Sequence, residues 1–146
     1  MIFGQDRDQL RRYYVEAWRK AREGLPLEPL ERKIADVVAE HPEYHALLEN
    51  EDRALGREYH IAEGETNPFM HMGMHIAIRE QVDTNRPVGI RALHRRLSRA
   101  LGGTMEAEHL MMESLAEALW VAQREGQVPD ERAYLLRLQE VLKRLE

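Results

Sequence analysis

The sequence predicts an all-α protein, a helical bundle of five longer helices and one short helix. Three observations carry that expectation. Apolar residues recur every three or four positions along most of the chain, the mark of a helix with one buried face. Leu, Ala, Glu and Arg, all good helix formers, dominate, whereas Thr occurs only at Thr66, Thr84 and Thr104. Most prolines and glycines fall between the periodic stretches, where helices start and stop.

The elements follow in order. Leu10, Tyr13, Tyr14, Ala17, Trp18 and Ala21 recur at helical spacing and predict a first helix over about Asp8 to Glu23, stopped by Gly24 and Pro26. Leu30, Ile34, Val37 and Val38 form the inner stripe of a second, from about Pro29 to Glu40. His41-Pro42 breaks it, because a residue before proline avoids the helical conformation. A short helix restarts at Pro42 and carries Tyr44, His45, Leu47 and Leu48. The stretch Glu49 to Thr66 lacks a period and reads as a long, functional loop. Asn67 caps and Pro68 opens the next helix, which reaches about Val82. After the Asn85-Arg86-Pro87 turn, Ile90, Leu93, Leu97 and Leu101 mark a helix ended by Gly102-Gly103. Thr104 should cap a long helix to about Arg124, followed by Gly126. A last helix, from about Asp130 to Leu145, should bury Ala133, Leu136, Leu138 and Leu142 in part.

Size and charge narrow the function. A chain of 146 residues suits a single helical domain, 1–146, with one sizeable core. A formal charge of −5 argues against nucleic acid and against an anionic membrane surface. There is no cysteine, so disulfides and thiolate metal sites are excluded. The opening MIFGQDRDQL lacks the apolar segment of a signal peptide, and no run approaches a membrane span, so a cytoplasmic location is expected. A two-fold homodimer is the default expectation for a small bundle.

Histidine is the unusual residue, with seven copies. NPFMHMGMH, Asn67 to His75, places His71 and His75 four apart, on one face of a helix that is otherwise apolar almost all round. An imidazole in a core is costly unless its nitrogens find partners. Carboxylates, backbone carbonyls or water can supply them; so can a metal ion, which a His-x-x-x-His pair can hold with two nitrogens. HPEYH repeats the spacing with His41 and His45. The late helix carries Glu106, His109, Glu113 and Glu117 on one face, and its Glu106-Ala-Glu108-His109 has the Glu-x-x-His spacing of di-metal bundles. The candidate ligands are therefore His71, His75, His41, His45, His109 and Glu113. Nitrogen and oxygen donors without sulfur suit Zn, Ni, Mn or Fe. Against this, the glutamates could be a solvated face, and His41, at a helix break, could point elsewhere. Gly73 in mid-helix costs about 1 kcal/mol against Ala, so another helix or a ligand is expected to come close there.

Other constellations are weaker. Arg91, Arg95, Arg96 and Arg99, with His94, form a basic face better read as solvated than as a nucleic-acid surface. Tyr13, Tyr14 and Trp18 read as core, and Met70, Met72, Met74, Met105, Met111 and Met112 as packing. There is no nucleophile elbow and no phosphate loop.

GETNPFMHMGMHIAIREQ, Gly64 to Gln81, resembles the signature of the bacterial family called domain of unknown function 1841. LERKIADVVAEHPEYHALLEN, MESLAEALWVAQREGQVPD and the opening aromatic pair with Trp18 resemble it too, so the likeness covers nearly the whole chain. It implies a small cytoplasmic all-α bacterial protein and brings no activity and no catalytic residue. The histidine pattern is also similar in architecture to DinB-like bundles, which hold a divalent metal with one histidine from one helix and a His-x-x-x-His pair from another. On that likeness His71 and His75 are the pair and His41 or His45 the single, although the order of elements differs.

Two functional readings of different class remain. One is a divalent-metal site on His71 and His75. The other is a non-catalytic protein-interaction module whose histidines are held by protein partners and whose 49–66 loop meets a protein partner. A nucleic-acid adaptor using the arginine face is a third, and predicts strongly salt-dependent binding.

Overall fold

The computed structural model describes residues 2–60 and 63–146, so part of the 49–66 stretch lies outside the described residues. The chain is all-α, with no strand among the described residues. The described residues form eight α-helices: α1 (Ile2–Arg22), α2 (Pro29–Ala39), α3 (His45–Leu48), α4 (Glu51–Gly56), α5 (Pro68–Thr84), α6 (Ile90–Leu101), α7 (Thr104–Glu125) and α8 (Glu131–Leu145). A 3-10 turn, Pro42–Tyr44, precedes α3.

The expected count of five longer helices and one short one is not met. The periodic stretches already held six long helices, and the chain adds α4 inside the stretch expected to be loop. Its start signal is local: Asn50 caps it by accepting the Arg53 amide at 3.1 Å, and Glu51 and Asp52 sit at the positive helix end. Six residues cannot hold a helix alone. The Arg11 guanidinium of α1 anchors α4 by donating to the carbonyls of Ala54 (3.0 Å) and Arg57 (2.6 Å). Such a tertiary clamp leaves no periodicity to read.

The chain divides into two compact units, Met1–Ile76 and Ala77–Glu146, with the boundary inside α5. In the first, α1 packs on α2 and α4 around Tyr14, Ala17, Ile34, Val37, Val38 and Leu48. Each Val, Leu or Ile side chain among them contributes about 2 kcal/mol by leaving water. α5 enters this core with Phe69, Met72 and Ile76, and Phe69 meets the Tyr14 ring edge-on at 5.6 Å. Asn67 starts α5 by accepting the amides of Phe69 (2.9 Å) and Met70 (3.3 Å). Leu10, Tyr13 and Leu30, expected inside, are exposed instead.

In the second unit α6, α7 and α8 pack on one another. Ile90, Leu93, Leu97, Met111, Leu138 and Leu142 are buried. α8 turns Tyr134 inward, where its hydroxyl donates to Gln81 at 2.8 Å, while Leu136 and Ala133 are exposed. Tyr134, Leu138 and Leu142 are each four apart and make a narrower stripe than expected. Arg79 and the buried Glu108 form a part-buried two-point ion pair, at 2.9 and 3.2 Å. Thr104 begins α7 as its first helical residue and caps nothing; Gly103 holds the cap position.

Candidate metal centre

The centre is built where α2 ends and α5 begins. The last carbonyls of a helix lack intrahelical partners. At the end of α2 the tightened last turn and two histidines supply them together. The Glu40 amide donates to Val37 at 3.1 Å and the His41 amide to Val38 at 3.0 Å, and a ring nitrogen is added to each. The Val37 carbonyl accepts from His41 Nδ1 at 2.7 Å, and the Val38 carbonyl accepts from His45 Nε2 at 2.8 Å. A carbonyl can only accept, so His41 Nδ1 carries a proton and Nε2 is the ring nitrogen left for another partner. Pro42 starts the 3-10 turn immediately after and holds the chain at this bend.

α5 brings the other two imidazoles. His71 and His75 lie one turn apart with their Nε2 atoms 3.2 Å from each other. The His41 ring lies 5.2 Å from that of His71 and 4.9 Å from that of His75, centre to centre. One ligand atom from each of the three falls within 4.8 Å of the other two. Two nitrogens bound to one tetrahedral ion at about 2.0–2.1 Å stand about 3.3 Å apart, so the His71–His75 separation already suits an ion. His75 is 0% and His41 5% exposed, and half-buried His71 is the member nearest solvent. Tyr44 lies parallel to the His41 ring at 5.5 Å and edge-on to His71 at 6.3 Å. Burial, with Glu43 beside it, raises the Tyr44 hydroxyl above its ordinary range. The ring therefore serves as a neutral, half-apolar wall.

Of the six candidate ligands the fold thus assembles three: His41, His71 and His75. His45 is not among them. Its Nε2 is occupied by the Val38 carbonyl, and its ring packs on Trp18 at 4.6 Å. His109 and Glu113 stand exposed on α7 in the second unit and form no such cluster among the described residues. Glu106 and Glu117 on the same helix are exposed as well, and Glu117 pairs with Arg137 at 2.8 Å. The stripe is a solvated face. The arginine face of α6 is likewise engaged: Arg91 donates to the Val82 and Asp83 carbonyls at the end of α5, and Arg96 pairs with Glu146.

The model of one protein family, Domain of unknown function (DUF1841), matches residues 6–140. The chain belongs to that family. The match makes the site, whose three histidines all lie within the matched residues, part of a DUF1841 domain, and it assigns them no role. No curated protein and no solved structure matches this DUF1841 chain. Sequence reading missed the Val37 carbonyl and Tyr44 as parts of the site. The carbonyl had a faint signal, since a histidine just beyond a helix end can serve the last turn.

Proposed function

We propose that this protein binds one divalent metal ion through His41, His71 and His75. The observation that carries the proposal is the convergence of three imidazoles from two separate segments, two of them buried, with the third nitrogen set by the His41–Val37 hydrogen bond. A ligand histidine usually donates its other ring N–H to a carbonyl or carboxylate, which fixes the tautomer and raises ligand basicity. His41 has that arrangement. Three imidazoles without sulfur suit Zn first and Ni, Mn or Fe after it. Three protein ligands also leave one tetrahedral position for water or an outside ligand, the form that catalytic zinc sites take.

A second reading keeps the histidines structural, in a protein-interaction module. The two α2 carbonyls served by His41 and His45 favour it, because capping alone gives those residues a use. Metal content separates the two. Protein purified without an affinity tag or chelator is analysed by mass spectrometry beside His71→Gln, a change at the least buried member that the core tolerates. About one ion per chain in the parent and none in the folded variant supports the site. No ion in the parent after dialysis against Zn, Ni, Mn and Fe sinks it and leaves the interaction module.

A further inference from the structure

A second site lies on the opposite side of α5. α1, the start of α2 and the first turns of α5 enclose an open recess of about 500 Å³, within the usual range for small-molecule sites. Its walls are mostly apolar: Leu10, Tyr13, Leu30, Phe69, Met70 and Ile76. Leu10, Leu30 and Met70 are 52%, 45% and 56% exposed, although the helical pattern of α1 and α2 points Leu10 and Leu30 inward. Apolar residues gathered at one concave place, rather than scattered, mark a binding surface.

Gly73 forms part of this recess. It sits mid-helix at a cost of about 1 kcal/mol relative to Ala. No close packing requires it: a Cβ there would meet only the Tyr14 hydroxyl, at 3.7 Å, an ordinary contact. The expected close approach of another helix at Gly73 is therefore absent among the described residues. What the missing side chain does is leave room in the recess.

The charged side chains lining the recess are Arg7 and Arg11, one turn apart on α1. Arg11 is 3% exposed. Its hydrogen bonds all come from Nη1 and all go to backbone carbonyls, of Ala54, Leu55 and Arg57. The guanidinium carbon lies over the Phe69 ring at 4.9 Å. Asp8 and Glu58 act on Arg11 through space, but their ion-pair contacts, at 3.7 and 3.8 Å, are to Arg7, and neither lines the recess. A buried cation with no carboxylate at ion-pair distance among the described residues is costly. Here it stands beside an apolar space of ligand size.

We infer that this recess binds a free monocarboxylic acid with an apolar tail, the carboxylate at the Arg7–Arg11 end and the tail along Leu10, Leu30, Met70 and the bare backbone of Gly73. A guanidinium fork matches a carboxylate in charge and shape, and the walls match an alkyl chain. The site uses none of the three clustered histidines and stands apart from the metal reading.

Isothermal titration calorimetry of the full chain, with chelator present so that no metal can hold the acid, tests it. The probes are sodium decanoate, decan-1-ol and sodium acetate. Decanoate is expected to bind once per chain, decanol at least tenfold more weakly, and acetate undetectably. Gly73→Leu fills the recess while improving helix propensity, so binding should fall at least tenfold with the circular dichroism spectrum and Tm retained. Met70→Glu, at an exposed rim position, should produce the same loss by repulsion. Absence of decanoate binding overturns the inference. So does equal binding of decanol, because the guanidinium end then plays no part, or undiminished binding to both folded variants.

Discussion

His41 is a single side chain with two obligations. Its Nδ1–H serves the Val37 carbonyl, and its ring stands within 4.8 Å, ligand atom to ligand atom, of His71 and His75. Replacing it with Gln preserves a donor but removes the second ring nitrogen, so metal content should drop well below one per chain while helix content stays unchanged, as mass spectrometry and circular dichroism would register. Another residue-scale effect concerns pH. Half-buried His94 has its pKa lowered below the ordinary value near 6.5, first by burial, with Glu108 opposing and Arg79 assisting. The unfolded chain therefore takes up a proton that the folded chain resists. Above about pH 6.5 His94 brings no penalty; below it, stability is progressively lost. His94→Phe should flatten the fall of Tm between about pH 7.5 and 5.5, and an unchanged slope would contradict the assignment.

Among the elements, α5 was the most legible, because Asn67-Pro68 is a start signal with a mechanism and both Asn67 bonds form. Asn67→Ala should cost about 1 kcal/mol in urea denaturation. α4 was not legible. Its cap residue was visible, but the force that holds it is Arg11, some forty positions earlier, and no local pattern reports a partner so distant. The same limit applies to the candidate centre. Spacing alone paired His71 with His75 and His41 with His45. It could not say that His45 would turn to Val38 and Trp18 while His41 turned to α5, since that depends on the bend after α2. The α7 stripe, equally ordered in sequence, is solvent-exposed and joins no such cluster among the described residues.

For the whole molecule, the part-buried ion pair of the second unit sets a measurable term. Glu108→Leu leaves the Arg79 guanidinium without its two-point partner and should lower stability by about 3 kcal/mol. Adding Arg79→Met should restore most of that loss, because a well-packed apolar pair often replaces a buried ion pair without penalty. A metal that binds only the folded chain stabilises it by about 2.7 kcal/mol at a hundredfold excess over Kd, so Tm should rise with the right ion and fall back with chelator. No helix among the described residues is long and apolar enough to cross a membrane.

The hydrogen bond from His41 to Val37 has a consequence for the timing of amide exchange. Val37 accepts from the His41 ring and also from the Glu40 amide at 3.1 Å, so the last turn of α2 and the imidazole share one acceptor. Fixing the ring from its far nitrogen would slow the fraying of that turn. The Glu40 and His41 amides, neither of them a ligand atom, should then trade hydrogen for deuterium more slowly in the presence of the ion, and the end of a helix would keep the record of what its neighbouring ring has bound.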